Sequence, residues 1–272
     1  MNAIRLMVSD VDGTLVDKEK RLTDATVTAV GRLDAAGIGF TIISARPRSG
    51  MMPIADTLAI DHPMAAFNGG IVFTRDGTVT THHVIDPEVA RGMFEIVGDA
   101  KVDRWVFADD RWYASTDEGD HVDHERLASN QSPIVGNDFA ALLDHADKIT
   151  FVSDDEALLV ALHEKADARF GNRATIVQSQ TYYLDVTALQ ANKGDGIAAL
   201  AEAFDVPIDA IAAIGDQAND LPMLTRAGFS VAMGNAPDKV KAAAQHVTTA
   251  NDADGVAHAI DTLILPRTGA AA

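Results

Sequence analysis

The chain has 272 residues, 47% of them hydrophobic, enough for one large or two medium domains with a sizeable core. A formal net charge of −18 argues against binding nucleic acid or an anionic membrane, and the lack of cysteine excludes disulfides and thiolate zinc sites. With no basic leader before a long apolar run, and no stretch of roughly 18 apolar residues such as a membrane helix needs, a cytoplasmic protein without nucleic-acid or membrane partners is expected.

The first element is the apolar run Ile4 to Val8, which reads as a buried strand ending at Ser9-Asp10-Val11-Asp12-Gly13-Thr14-Leu15. Residues two apart in extended backbone point the same way, so Asp10 and Asp12 can face one point, with Gly13 allowing the turn. Two anions so placed call for a cation, and oxygen ligands suit a hard one such as Mg²⁺. If a phosphate joins the metal, one carboxylate can attack phosphorus while the other moves protons. An acidic turn after a strand is the plain alternative, so the rest of the chain must decide.

Leu22-Thr23-Asp24 reads as a helix cap, with Val27, Val30 and Leu33 at helical spacing before Gly37. Ile38 to Ile43 is a second buried strand, ending at the turn Ser44-Ala45-Arg46-Pro47-Arg48. A helix over about Ser49 to Ala59 and a strand over Met64 to Phe67 lead to Asn68-Gly69-Gly70. This alternation predicts βαβ units and a parallel sheet.

From there the rhythm changes. Ile71 to Thr74 and Val79 to His83 read as a hairpin, followed by a helix from Asp86-Pro87 to about Asp99. Strands are expected at Arg104 to Ala108 and Trp112 to Ser115, then a solvated polar loop, Thr116 to Glu125, containing His121 and His124. Lys148 to Val152, a helix over Glu156 to Phe170, and strands Ala174 to Gln178 and Tyr182 to Val186 complete an inserted α+β domain over roughly 84–187. Trp105, Trp112, Tyr182 and Tyr183 belong to its core. The flanking segments, 1–83 and 188–272, form a doubly wound, mainly parallel α/β core. In its second part a helix opens after Asn192-Lys193-Gly194, strand Ala210 to Ile214 runs into Gly215-Asp216, and a helix covers about Asn219 to Ala227. Phe229 to Met233 is another strand, ending at Gly234-Asn235. Helices near Pro237 to Ala244 and Val256 to Leu263 follow, and the tail Thr268 to Ala272 reads as mobile.

In parallel α/β sheets ligands sit beyond the carboxyl ends of the strands. Asp10, Ser44, Asn68 and Asp216 fall at four such ends, so one crevice could collect them. Asp216 opens a second acidic cluster, Gly215-Asp216-Gln217-Ala218-Asn219-Asp220, which with Asp10 and Asp12 would complete an oxygen cage for Mg²⁺. Lys193, at a helix start, could neutralise a phosphoryl group, and Ser44 could hydrogen-bond one.

These motifs, in this order, resemble the haloacid dehalogenase-like superfamily, in particular the Cof-type phosphatases with a large α/β cap after the third core strand. The resemblance rests on Asp10 to Leu15, Ser44 with Arg46-Pro47, Asn68-Gly69-Gly70, Asn192-Lys193-Gly194, and Gly215 to Asp220 continuing to Met223. It implies that Asp10 is the nucleophile, forming an aspartyl-phosphate, and that Asp12 is the general acid and then base. Mg²⁺ would be held by the Asp10 carboxylate, the Asp12 carbonyl and the Asp216 carboxylate. Ser44, Lys193 and Asn219 would bind phosphate, Ala45, Arg46, Asn68 and Gly69 would border the substrate, and Asp220 would orient its neighbours. Ser44 stands where the family often has threonine, which keeps the hydroxyl. The expected activity is hydrolysis of a small phosphorylated metabolite, a sugar phosphate or a phosphorylated cofactor, by a monomer or small homo-oligomer, with the cap choosing the leaving group. A phosphomutase on the same core and a catalytically silent binding protein are the rivals.

Overall fold

The computed structural model describes residues 3–267, so the tail expected to be mobile lies outside the described residues. In chain order the elements are β1 (Leu6–Ser9), α1 (Asp24–Ala35), β2 (Gly39–Ile42), α2 (Arg48–Thr57), β3 (Met64–Ala66), β4 (Ile71–Phe73), β5 (Val79–His82) and α3 (Pro87–Val97). β6 (Asp103–Ala108), β7 (Arg111–Ala114), α4 (Asp120–Ser129), β8 (Ile134–Val135), β9 (Lys148–Val152), α5 (Glu156–Phe170), β10 (Ala174–Gln180) and β11 (Tyr183–Ala188) follow. The chain closes with α6 (Lys193–Ala203), β12 (Ile211–Gly215), α7 (Leu221–Arg226), β13 (Phe229–Ala232), α8 (Asp238–Ala243), β14 (His246–Val247) and α9 (Gly255–Ala259).

Contacts divide the chain into two units: Met1–Ala45, Met51–Thr81 and Asn192–Ala272 form the first, Arg46–Gly50 and His82–Ala191 the second. Residues 46–50, which precede most of α2 in the chain, group with the second unit.

Unit 1 is built on a five-stranded sheet in the order β14-β13-β12-β1-β2, parallel throughout. A parallel bridge from Ile43 to Ala65 links it to the smaller β3-β4-β5 sheet, in which β3 and β4 are antiparallel. The central strands β1, β12 and β13 are buried along their length, as both-face covering requires. Leu6, Val8, Ile211 and Ala213 pack with Ile197 and Leu200 of α6, Met223 and Leu224 of α7 and Val240 of α8. α1 forms because Thr23 caps it, its hydroxyl accepting from the Thr26 amide at 3.2 Å, and it buries Ala29, Val30 and Leu33.

Unit 2 is a six-stranded sheet, β10-β11-β9-β6-β7-β8, antiparallel except for the β7–β8 pair. Period-two alternation sends Val106, Ile149, Phe151, Leu184 and Val186 to one face, where Val89 and Met93 of α3 and Leu159 and Leu162 of α5 cover them. Trp105 and Trp112 are buried and meet edge-to-face at 5.2 Å, with Tyr183 5.3 Å from Trp105. The polar stretch expected as a loop is one only over 116–119; from Asp120 it is helix α4. Among its described side chains the buried stripe is Val122, Glu125 and Ser129, spaced three and four apart, while Leu127 is 72% exposed. With one aliphatic side chain in that stripe, hydrophobic periodicity had nothing to register. His121 stacks on Tyr182 at 4.1 Å and its Nε2 meets Asp154 at 2.8 Å, so it is held rather than solvated.

Candidate active site

The core sheet changes direction between two hydrogen-bonded neighbours: β1 leads to β2 on one side, whereas β12 leads to β13 and β14 on the other. Loops leaving the carboxyl ends of such strands part and open a crevice. Asp10 follows β1 and Asp216 follows β12, with the Asp10 amide donating to the Ile214 carbonyl at 3.0 Å.

Asp10, Asp216 and Asp220 are buried and present carboxylate oxygens within 4.8 Å of one another. Lys193, 1% exposed, opens α6, where the Asn192 side chain caps the helix by accepting from the Asp195 amide at 3.0 Å. The Lys193 ammonium donates to Asp10 Oδ1 and, at 2.6 Å, to Asp220 Oδ1. Asp220 Oδ2 accepts from the amides of Asp216 and Gln217, both at 2.8 Å, which fixes the turn after β12. Asp216 in turn accepts from the Thr14 hydroxyl at 3.1 Å and from the side-chain amides of Gln217 and Asn235 at 3.2 Å each. Asn235 also donates to the Gly13 carbonyl at 2.8 Å, tying the turns after β1 and β12 together. Gly13 is required there: its φ is +77° and a Cβ would lie 2.4 Å from Asp216 Oδ2.

Three buried carboxylates face one ammonium. Burial pushes the Asp10 carboxyl well above the usual range; Lys193 opposes this, while Asp220 and Asp216 add to it. Asp216 is pushed up to about 6, by burial first and by Asp220 second, against the hydrogen bond from Thr14. Burial lowers the Lys193 ammonium, but Asp10 and Asp220 outweigh that and hold it above the ordinary lysine value. This excess of negative charge in an all-oxygen donor set fits a hard divalent cation.

Asp12, in the turn after β1, stands outside the three-carboxylate cluster. Its carboxylate pairs with Lys20 at 2.5 Å and is 34% exposed. Ser44 is buried at the end of β2, its amide donating to the Ala65 carbonyl at 2.9 Å and its carbonyl accepting from the Asn68 amide at 2.7 Å. Asn68 has left-handed backbone (φ 59°), and its side-chain oxygen accepts from Asn219 at 3.3 Å. Gly69 has φ +104°, and a Cβ there would come 2.6 Å from Gly196 Cα, so the turn lies against α6. Ala45 is half-buried and is the last residue of its unit 1 segment. Arg46 falls in unit 2, buried, with its guanidinium donating to the Gly50 carbonyl at 3.1 Å.

The structure thus brings together Asp10, Lys193, Asp216 and Asp220, and links Ser44, Asn68 and Asn219 by hydrogen bonds. Sequence reasoning missed Thr14, Gln217, Asn235 and Lys20. Asn235 carried a usable signal, because Gly234-Asn235 ends β13, the strand beside β12.

Fold and site define a doubly wound α/β hydrolase core, with a buried carboxylate–lysine centre at its switch point and an α+β unit inserted in the chain. Residues 7–260 match the model of the haloacid dehalogenase-like hydrolases, and the chain belongs to that family. It is similar to a Haemophilus influenzae protein with a provisional phosphatase name, 29% identical over 257 residues, 93% of this chain and 95% of the relative. It is also similar to the 5-amino-6-(5-phospho-D-ribitylamino)uracil phosphatase YcsE of Bacillus subtilis, 25% identical over 96% of each chain. Among solved structures, a haloacid dehalogenase-like hydrolase from Bacteroides thetaiotaomicron superposes with a TM-score of 0.85 at 27% identity, over 95% of this chain and 98% of that one. The expected resemblance to haloacid dehalogenase-like hydrolases is borne out by the family match. Among the described residues no helix is long and apolar enough to cross a membrane.

Proposed function

We propose that this protein is a Mg²⁺-dependent phosphatase that hydrolyses a small phosphorylated metabolite through an aspartyl-phosphate on Asp10. The observation that carries the reading is the buried pairing of Lys193 with Asp10 inside a trio of carboxylates. Mg²⁺, held by the Asp10 and Asp216 carboxylates and the Asp12 backbone carbonyl, would supply positive charge against the phosphoryl oxygens. Lys193 serves a second purpose once substrate is present, since its ammonium offsets repulsion between the Asp10 carboxylate and the phosphate dianion. Ser44 and Asn219 hold phosphoryl oxygens.

An Asp10 oxygen attacks phosphorus, the bond from phosphorus to the leaving oxygen breaks, and the Asp12 carboxyl gives its proton to that oxygen. Asp12, now a carboxylate, takes a proton from water as the water attacks phosphorus. Phosphate leaves and Asp10 is restored. The greater exposure of Asp12 supports this division of labour, because the acid must trade protons with water between steps. The name of the relative YcsE, a phosphatase of a phosphoribitylamino-uracil, supports a small phosphorylated metabolite as the substrate class.

Phosphate release from a panel of sugar phosphates, pyridoxal phosphate, flavin mononucleotide and 4-nitrophenyl phosphate tests the reading. Release should need Mg²⁺, stop with EDTA, and fall by about a thousandfold or more in Asp10→Asn. No release from any member by the folded, Mg²⁺-loaded enzyme, or full activity in Asp10→Asn, would overturn it.

A further inference from the structure

Lys20 lies in a small loop organised by Asp17. The Asp17 amide donates to the Arg21 carbonyl at 2.9 Å, and its Oδ1 accepts from the amides of Glu19 and Arg21, each at 2.9 Å. The Arg21 guanidinium grips Asp17 Oδ2 through Nε at 3.1 Å and Nη2 at 3.0 Å. Within this loop Lys20 adopts left-handed backbone, φ +62°, a conformation disfavoured for a residue with a Cβ. Strain of this kind persists only where the surroundings impose it, and it gathers at functional sites. Here its consequence is direction: the Lys20 ammonium meets Asp12 Oδ1 at 2.5 Å, with the two side chains 27% and 34% exposed.

A general acid works only when its carboxyl is held within hydrogen-bond reach of the oxygen it protonates. Asp12 stands on a turn, and its side chain has torsional freedom that the backbone does not remove. We propose that Lys20 is a positioning residue for Asp12. Its ammonium, presented by the Asp17-centred loop, fixes the direction in which the Asp12 carboxyl faces the leaving-group oxygen. The proton passes from the Asp12 carboxyl to that oxygen as the oxygen takes the electron pair of its bond to phosphorus. Lys20 itself exchanges no proton. This inference rests on the reading of Asp12 as the general acid.

The test compares two probes of similar shape, 4-nitrophenyl phosphate, whose leaving group departs readily, and phenyl phosphate, whose leaving phenol has a pKa of about 10 and needs protonation. kcat/KM is measured for wild type, Lys20→Met, Lys20→Arg and Asp12→Asn, with Tm as a control for folding. Lys20→Met should lose about tenfold more on phenyl phosphate than on 4-nitrophenyl phosphate, with Lys20→Arg recovering most of the difference. Asp12→Asn should show the same dependence more strongly. If Asp12→Asn shows it and Lys20→Met affects both probes equally or neither, the Lys20 role is overturned while Asp12 keeps its own. If Asp12→Asn is itself indifferent to the leaving group, the general-acid reading falls and the Lys20 role with it.

Discussion

Lys193 makes a buried group of carboxylates tolerable, and its removal is the sharpest single-residue perturbation of the centre. Lys193→Met would leave Asp10 and Asp220 without their shared counter-charge in a site with almost no access to water. Breaking a buried ion pair by removing one partner costs about 3–5 kcal/mol, so urea unfolding of the metal-free variant at about pH 7.5 should show a loss of that order. The loss should shrink at about pH 5, where Asp10, already pushed up by burial, can take a proton. A loss that is the same at both values would show that the defect is not electrostatic. At this scale Asp10, Lys193, Asp216 and Asp220 were legible in the sequence as candidates, because each stands in a short motif with its chemistry in its side chain. The hydrogen-bond shell was hidden for the opposite reason. Thr14 reaches Asp216 across 202 residues of chain and Asn235 reaches Gly13 across 222, and neither contact leaves a local pattern.

At the level of elements, β9 and α5 begin and end where periodicity put them, since each carries its own caps or an unbroken β-branched and aromatic run. α4 was not visible, and its importance lies in what packs against it within unit 2. Ser49 donates its hydroxyl hydrogen to the Ser129 carbonyl at 2.6 Å, Gln131 donates to the Ser49 hydroxyl at 2.8 Å, and Arg48 pairs with Asp110 at 3.2 Å. These contacts explain why residues 46–50 belong with unit 2 although chain order puts them near β2. Gly50 is the tightest point: an added Cβ would stand 2.1 Å from the Ala128 carbonyl oxygen, a backbone atom that no rotamer change can withdraw. Gly50→Ala should therefore cost about 1–3 kcal/mol by overpacking. Gly136→Ala, where nothing lies within 4 Å, should leave stability within about 0.5 kcal/mol. Thermal unfolding of the two variants checks the contrast, and equal effects would show that α4 does not pack there as described.

For the whole molecule, charge links folding to metal. Burial and then Asp220 push the Asp216 carboxyl up to about 6 from an ordinary 3.8, and burial shifts Asp10 the same way. A carboxyl raised on folding favours the protonated native state. Its contribution to stability is full below the unfolded value and is lost as pH rises through the folded one. Lys193, shifted upward, contributes equally throughout this window, since both its folded and its unfolded values lie above it. A cation that replaces those protons should help most where they are absent. Mg²⁺ should thus raise Tm more at about pH 7.5 than at about pH 5, and an equal or larger rise at the lower pH would contradict the assignment of Asp10 and Asp216 as its carboxylate ligands. The net charge of −18, read first as a barrier to anionic partners, has the same bearing on substrate: a phosphate ester must be drawn in by local positive charge at the centre.

The central claim is that phosphate is transferred to Asp10, and trapping that bond tests it most directly. Enzyme turning over 4-nitrophenyl phosphate with Mg²⁺ is quenched and treated with borohydride, which reduces an acyl phosphate but not a free carboxylate, and its peptides are read by mass spectrometry. Homoserine at position 10, dependent on substrate and missing from Asp10→Asn, is the predicted result. Steady turnover with position 10 unmodified, or with the reduction found at Asp12 or Asp216, would contradict the account.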